Sequence, residues 1–204
     1  MPLPATIPVI VLVECTLFPH ALLPLYIYEQ RYRSLLTHSL SHERFFCVGT
    51  LKNGILASGE RDDDIDRYSC AGLVRACVGQ ADGTSRLILQ GVRRICFVDW
   101  LQREPFRIAR IEPVPNTIRD LRRATRLARE VVSAARTSRA CDEAFAKQFD
   151  EHFGCLNDPE IVADVIGYNF LTRTADKQPL LGMGEVEARL EYLLEKLHSL
   201  HPMD

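Results

Sequence analysis

The spacing of apolar residues changes along the chain and divides it into two parts. Up to about residue 113, short apolar runs alternate with turn residues, which is typical of β-strands, and Ile7–Val13 has the continuous β-branched composition of a buried strand. After residue 116, apolar residues recur every three or four positions, as in amphipathic helices. The pattern predicts an α+β chain, with a β-rich module over residues 1–115 followed by a helical bundle over residues 116–204.

The first part contains several short strands and one short helix. After Ile7–Val13 the predicted strands are Leu23–Tyr28, Phe45–Leu51, Gly72–Val78, Arg86–Val92, Arg94–Trp100 and Phe106–Glu112. Pro24 suits an edge strand or the start of a strand better than the centre of a sheet, because proline cannot donate a hydrogen bond to a neighbour. Asp82-Gly83 between two apolar runs predicts a hairpin. Glu29–Ser39 is the expected helix and Ser58–Ser69 an exposed loop, and strands at this spacing predict a closed or partly closed barrel.

Two helix starts and one helix seam are predicted in the second part. Asn116 follows Pro115 and is the expected N-cap of the first helix. Its apolar side is expected to carry Ile118, Leu121, Thr125, Ala128, Val132 and Ala135. Asp158-Pro159-Glu160 has an N-cap residue, a proline suited to the first turn and an acid near the helix N-terminus. The apolar seam Val186–Leu200 either is buried within the chain or pairs with a second copy, so we expect a monomer or a weak homodimer.

Composition and charge describe an ordinary globular protein. Of 204 residues, 47% are hydrophobic and 25% are charged, and the net charge of −2 gives no global reason to expect a nucleic-acid partner. No basic leader and no apolar stretch near 18 residues occurs, so we expect a cytoplasmic protein without a membrane span. The seven cysteines are scattered without a Cys-x-x-Cys pair, so we expect neither a disulfide framework nor a metal or cofactor.

The charges are nevertheless polarised in the second part. Residues 119–139 contain seven arginines against two acids, whereas residues 140–204 contain 5 basic and 13 acidic residues. One interpretation is an RNA-binding face on the helix, formed by Arg119, Arg122, Arg126 and Arg129. The other is that the arginines pair with acids of the following helices. We favour pairing because the two charge blocks are neighbours and no aromatic residue interleaves with the arginines as a stacking partner.

Four small clusters invite a catalytic or metal-binding interpretation, and the sequence favours a structural one for each. They are Cys15 with His20, the acidic triplet Asp62, Asp64 and Asp66, His152 with Cys155, and His198 with His201. A nucleophile and base also need an orienting group and an oxyanion site, which proximity does not supply. In a calcium loop, Arg67 and Leu73 would have to be glycine and glutamate. Each histidine pair supplies two of the four ligands of a structural zinc ion.

The apolar stretch around Pro19 and Pro24 is the candidate for binding another protein. Its candidate contact residues are Phe18, Pro19, Leu22, Tyr26 and Tyr28. Because prolines interrupt it, part of its backbone is not expected to be covered by sheet pairing. An extended apolar peptide could bind there through side-chain pockets or as an added strand. The alternative is that Phe18 and Leu22 are core residues between the two modules.

Several motifs together resemble the N-terminal domain of Lon proteases. They are Pro8–Leu12 with Leu17–Leu25, then Gly72–Arg75, Asp82-Gly83 and Gln90–Ile95, then Asp158-Pro159 with Ala163-Asp164, and finally Ala175–Leu181 with Val186 and Arg189–Leu193. They occur in the order of that family and cover nearly the whole chain. The resemblance implies a PUA-like pseudo-barrel followed by a helical bundle, and a role in recognising protein substrates and helping the enzyme to assemble.

The motifs of the other Lon domains do not occur in the sequence. There is no Gly-x-x-x-x-Gly-Lys-Ser/Thr phosphate loop, and none of the four lysines lies in a segment resembling the proteolytic domain. We therefore expect a non-enzymatic, stand-alone recognition module. Its expected partners are unfolded or degradation-marked protein segments or one partner protein, with a separate ATPase or protease as a further expected partner.

Overall fold

Strands and helices segregate into two units of the chain, residues 1–114 and residues 115–204. The computed structural model describes residues 3–52, 61–138 and 143–199. In the first unit these residues form β1 (Thr6–Leu12), β2 (Leu22–Ile27), α1 (Gln30–Leu40), β3 (Phe45–Thr50), β4 (Tyr68–Gly79), β5 (Ser85–Gln102) and β6 (Arg107–Pro113). This segregation confirms the predicted α+β class.

The strands of the first unit pair in a closed ring. β1 pairs with β3 in parallel, and the antiparallel pairs β3–β4, β4–β5, β5–β6 and β6–β1 complete the ring. β2 lies outside the ring on the first half of β5. The two strands predicted at Arg86–Val92 and Arg94–Trp100 are one strand, β5, since no turn residue separates them. β5 pairs first with β4 and then, further along, with β6. The β5–β6 pairing contains register shifts, one of them between Phe97 and Asp99.

The barrel interior holds the core of the first unit. Its buried residues are Ile7, Val9, Val11, Phe45, Cys47, Leu51, Ile65, Ala71, Ile95, Phe97, Ala109 and Ile111. Ile65 was expected in an exposed loop, but it forms a β-bridge with Leu51 and packs inside. The part of that loop at 58–60 lies outside the described residues. The exposed turn between β4 and β5 is as predicted: Gly83 has a φ of 81°, and the Thr84 N–H donates to Asp82 Oδ1 at 2.9 Å.

The described part of the second unit consists of helices and their connections, two of which form a parallel β-bridge between Thr117 and Glu185. The helices are α2 (Leu121–Thr137), α3 (Glu143–Phe153), α4 (Pro159–Phe170), α5 (Thr174–Gly182) and α6 (Val186–Ser199). The predicted start of α4 is confirmed, because Asp158 Oδ1 accepts hydrogen bonds from the N–H groups of Glu160 and Ile161. Along the described chain, no helix combines the length and hydropathy that a membrane crossing needs.

The predicted start of α2 is wrong by four residues. Asp120 is the N-cap, and its carboxylate accepts from the N–H groups of Arg122 and Arg123. Asn116 lies in the extended segment before the helix. Its side chain forms hydrogen bonds with Glu160 and Arg189, which are 44 and 73 positions away in the sequence. The buried stripe of α2 is displaced accordingly, and it consists of Ala124, Leu127, Ala128, Val131, Ala134 and Ala135.

The seam of α6 is buried within the chain. Val186, Leu190, Leu193 and Leu197 have no solvent exposure, and α6 packs on α2 and α4. Leu200, the last predicted member of the seam, lies outside the described residues. Of the two alternatives for this seam, burial within one copy of the chain is therefore the observed one.

Candidate functional site

The predicted binding stretch forms an edge strand whose two faces differ. In β2 the side chains of Leu22, Pro24 and Tyr26 are exposed, whereas Leu23, Leu25 and Ile27 turn towards the protein and are half-buried or buried. This is the alternation expected of a strand that covers the interior with one face. Apolar residues at Leu22 and Tyr26 are therefore left in solvent, 56% and 51% exposed.

Two neighbouring strands extend this exposed surface. Pro24 is paired with Ile88 of β5, and Tyr26 is paired with Arg86, which is itself opposite Val78 of β4. Cross-strand partners point to the same side of a sheet. We call this surface the β2 face, formed by Leu22, Pro24, Tyr26 and Tyr28 with Ile88, Arg86 and Val78. Tyr28 and Val78 are each 61% exposed.

Aromatic and cationic contacts order the end of the β2 face nearest α1. The rings of Tyr26 and Tyr28 stack with their centroids 5.9 Å apart. The guanidinium carbon of Arg86 lies 5.5 Å from the centroid of the Tyr26 ring, within the range of a cation–π contact. The face therefore offers two flat aromatic surfaces and one positive charge.

Phe18 and Pro19 do not belong to this surface. Both are buried, and Phe18 has no solvent exposure. The backbone of Phe18 approaches β5 so closely that a Cβ at Gly91 would lie 1.8 Å from the Phe18 carbonyl oxygen. The segment between β1 and β2 thus turns inward before β2 begins. Phe18 is therefore buried, whereas Leu22 is exposed.

Sequence reasoning missed the contributions of Ile88, Val78 and Arg86 to the β2 face. The hairpin at Asp82-Gly83 was a usable signal for one pairing, since counting outward from it places Val78 opposite Arg86. The pairing of β2 with β5 joins residues more than 50 positions apart. No local pattern indicates that register.

The arginines near α2 are divided between acidic partners and solvent. Arg119 precedes the helix and lies 3.0 Å from a Glu185 oxygen, and Arg123 pairs with Glu191. Arg126 makes a looser contact of 3.7 Å with Glu130 on the same helix. Among the described residues, the guanidinium groups of Arg122 and Arg129 have no ion-pair partner. Pairing with later acids therefore accounts for Arg119 and Arg123, and it accounts for Arg136, which binds Asp150.

The acidic triplet does not converge on a cation site. Arg103 and Arg107 both bind Asp62; burial raises the pKa of this carboxyl, but the two guanidinium groups outweigh it and the pKa falls below its ordinary value. Asp64 instead contacts Arg61, and burial raises the pKa of Asp66. No cluster of three potential metal ligands occurs in the described ranges 3–52, 61–138 and 143–199.

The remaining clusters combine histidine with cysteine or with a second histidine. His20 is exposed with a φ of 66°, and Cys15 is half-buried. His152 Nδ1 is 2.8 Å from the carbonyl oxygen of Gln148 in the preceding turn, and Cys155 is exposed. His201, the predicted partner of His198, lies outside the described residues.

Comparison with known proteins identifies the family. The family model of the ATP-dependent protease La (LON) substrate-binding domain matches residues 6–199. The Lon protease of Dictyoglomus thermophilum is 23% identical over 202 residues, and the match covers 97% of this chain and 25% of the relative. The Lon protease of Escherichia coli is 23% identical over 195 residues, covering 95% and 24%. The chain thus spans about a quarter of the length of these curated relatives.

Solved structures show the same fold. The N-terminal domain of Mycobacterium avium complex Lon protease matches with a TM-score of 0.70 and 17% identity, covering 95% of this chain and 98% of that one. The Lon N-terminal domain protein from Xanthomonas campestris matches with a TM-score of 0.65 and 19% identity, covering 93% and 97%. With the family model matching nearly the whole sequence, this chain belongs to the family of Lon substrate-binding domains.

Proposed function

We propose that this chain captures unfolded or degradation-marked segments of other proteins on the β2 face. The observation that carries the proposal is the exposure of Leu22 and Tyr26 on β2, of Tyr28 directly after it, and of Val78 on β4, the second strand along the sheet. Isolated apolar residues are common on protein surfaces, but a contiguous group of large ones is typical of an interaction site. Membership in a family of substrate-binding domains supports the same assignment.

The chemistry of the β2 face suits reversible and permissive capture. Burying one large apolar side chain is worth about 1.5–3 kcal/mol, so three or four such contacts offset the entropy lost by an extended segment. Tyrosine contributes a large contact area with few rotatable bonds to immobilise. Such a face binds accessible apolar segments of many different sequences.

Binding, not chemistry, is the role proposed for these 204 residues. The curated relatives are named Lon proteases, but the match covers only about a quarter of each of them. Unfolding or cleavage of a captured segment would then depend on an ATPase and a protease outside the matched region. The β2 face would hold the captured segment for that ATPase and protease.

A binding measurement with matched surface variants tests this function. The probe is a reduced and carboxymethylated polypeptide that cannot refold, titrated onto the labelled chain and followed by fluorescence anisotropy. We expect a triple variant, Leu22→Ser with Tyr26→Ser and Tyr28→Ser, to bind at least about tenfold more weakly than the natural chain, because it removes most of the exposed apolar area of the face.

The control variant removes exposed apolar residues that lie elsewhere. Val98, Leu101 and Leu121 are 45%, 52% and 63% exposed, and none belongs to the β2 face. Replacing these three by serine is expected to leave binding unchanged. Equal losses in the two triple variants, or no binding by the natural chain, would contradict the proposed function.

A further inference from the structure

One edge of β2 has no partner strand among the described residues. β2 pairs with β5 along Leu22–Ile27, and β5 carries β4 on its other side. The pairing of β5 with β6 closes the ring of the barrel, and β2 takes no part in that ring. β2 therefore ends the sheet, and an edge strand presents unpaired N–H and C=O groups to any polypeptide that can lie beside it.

One hydrogen bond fixes which backbone groups of β2 face this open edge. The Gly91 N–H donates to the Ala21 carbonyl at 2.9 Å, so Ala21 points its carbonyl at β5. The register stays constant from Leu22 opposite Gln90 to Ile27 opposite Ser85. In an antiparallel ladder, alternate residues bond to the same neighbour. The odd-numbered residues of β2 therefore bond to β5, and the N–H and C=O groups of the even-numbered ones face outward.

Pro24 occupies one of these outward positions. Its missing N–H consequently costs the β2–β5 ladder nothing, which explains how a proline is accommodated inside a regular strand. The open edge then offers the N–H groups of Leu22 and Tyr26 and the carbonyls of Leu22, Pro24 and Tyr26. A proline on an edge limits uncontrolled pairing between copies, but it leaves most of the edge able to bond.

The same even-numbered residues carry the apolar side chains of the β2 face. A strand laid along the edge would bond through its backbone to Leu22, Pro24 and Tyr26, and its side chains on that side would extend the apolar surface. Arg86 favours an acidic side chain in the bound segment, because its guanidinium lies over the Tyr26 ring and the β2 face contains no acidic residue. A segment with apolar residues at alternate positions and one carboxylate among them fits both features.

We propose that the captured segment adds to β2 as a further strand of the sheet, with alternate apolar side chains and an acidic side chain towards Arg86. This inference rests on the proposed function and specifies how the β2 face holds its ligand. It differs from docking through side-chain pockets alone, which would leave the β2 backbone unpaired.

A peptide N-methylation scan tests the main-chain pairing. The probe is a fluorescein-labelled nonapeptide, Ser-Leu-Ser-Leu-Ser-Glu-Ser-Leu-Ser, and single N-methyl groups are placed in turn along it. An N-methyl group removes one donor and blocks close strand approach while keeping the side chain. We expect losses of at least about tenfold at every second central position and little change between them. Losses at the leucine and glutamate positions indicate antiparallel addition, and losses at the serine positions indicate parallel addition.

Two substitutions at one position test the edge from the side of the protein. Tyr26→Ala and Tyr26→Pro both remove the ring, but only Tyr26→Pro removes the outward N–H. We expect Tyr26→Pro to bind the peptide about two- to tenfold more weakly than Tyr26→Ala, which is the loss that one main-chain hydrogen bond accounts for. The two variants should unfold at similar urea concentrations, because this N–H does not bond to β5. Replacing the glutamate of the peptide by lysine should also weaken binding.

The outcomes separate the strand addition from the proposed function. Binding that is lost in the serine triple variant but shows no alternation in the scan overturns the strand addition and keeps the proposed function. Absence of binding by both the peptide and the unfolded polypeptide overturns both. If the natural chain dimerises in sedimentation and the peptide does not dissociate the dimer, a second copy occupies the edge and the strand addition to other proteins is overturned.

Discussion

Arg189 and Asp164 form a buried ion pair between α6 and α4. Arg189 Nη1 donates to Asp164 Oδ1 at 2.5 Å, and the two side chains are 0% and 4% exposed. Arg189 Nη2 also donates to the side-chain oxygen of Asn116 at 2.9 Å. Both members of the pair lie in segments through which the sequence resembles Lon. The pair fixes α6, α4 and the segment before α2 in one arrangement.

Removing one member of this pair should strongly destabilise the helical unit. Asp164→Ala leaves a guanidinium buried without its counter-charge, and we expect a loss of about 3–5 kcal/mol in the free energy of unfolding. Urea titration followed by far-UV circular dichroism measures it. The double variant Asp164→Asn with Arg189→Met should lose less than Asp164→Ala, because neither buried charge remains.

The exposed pair of Arg110 with Asp99 is the matched control. Its atoms are 2.9 Å apart, but both side chains are about half exposed. We expect Asp99→Ala to cost less than about 1 kcal/mol. A cost for Asp164→Ala no greater than that for Asp99→Ala would contradict the role assigned to the buried pair.

Glu187 should make stability depend on pH on the acid side. Its Oε1 accepts from the backbone N–H groups of Arg119 and Asp120 at 2.9 and 2.8 Å. Burial alone raises the pKa of this carboxyl, but the backbone hydrogen bonds outweigh it and hold the pKa below its ordinary value. A carboxyl whose pKa is lowered by folding stabilises the folded chain at pH values above its unfolded pKa of about 4.3. This stabilisation is lost as the pH falls through the folded pKa.

Glu187→Gln should remove this contribution while keeping an acceptor oxygen. We expect the natural chain to exceed the variant in free energy of unfolding at pH 7, and the difference to shrink as the pH falls from 5 to 3. Urea titrations of both proteins across this range measure the difference. A difference that stays constant with pH would contradict the linkage.

Gly91 is required because the Phe18 carbonyl occupies the place of its side chain. A Cβ there would lie 1.8 Å from that oxygen and 3.2 Å from Cys70 Sγ. We expect Gly91→Ala to lower the free energy of unfolding by about 1–3 kcal/mol. It should also weaken peptide binding, since it displaces the segment that leads into β2. Gly79→Ala is the control, because its Cβ would meet only Ser85 Oγ at 4.0 Å. Thermal unfolding that is equal for the two variants would contradict this explanation.

The cysteines should react with thiol reagents in an order set by burial. Burial, together with the neighbouring Cys70, raises the pKa of the Cys47 thiol well above its ordinary value, whereas Cys155 is exposed. Since the thiolate is the reactive form, we expect iodoacetamide to modify Cys155 in the folded protein and Cys47 only after unfolding. Peptide mapping by mass spectrometry identifies the modified sites. Modification of Cys47 at the rate of Cys155 would show that the barrel opens readily.

Features that depend on neighbouring residues could be predicted from the sequence. The Asp158-Pro159 helix start and the turn at Gly83 follow from capping and backbone freedom. The seam from Val186 to Leu197 follows in the same way from helical spacing. These features, together with the motif order, were sufficient to indicate the class and the family.

Contacts between distant residues set the features that the same patterns left open. An N-cap is selected by long-range partners as well as by residue type: Glu187 binds the N–H groups of Arg119 and Asp120, so α2 starts at Leu121 and not after Asn116. Alternation in β2 implies two faces, but only the pairing with β5 leaves Leu22 and Tyr26 in solvent and buries Phe18. Burial depends on contacts between residues far apart in sequence, and local periodicity carries no information about them.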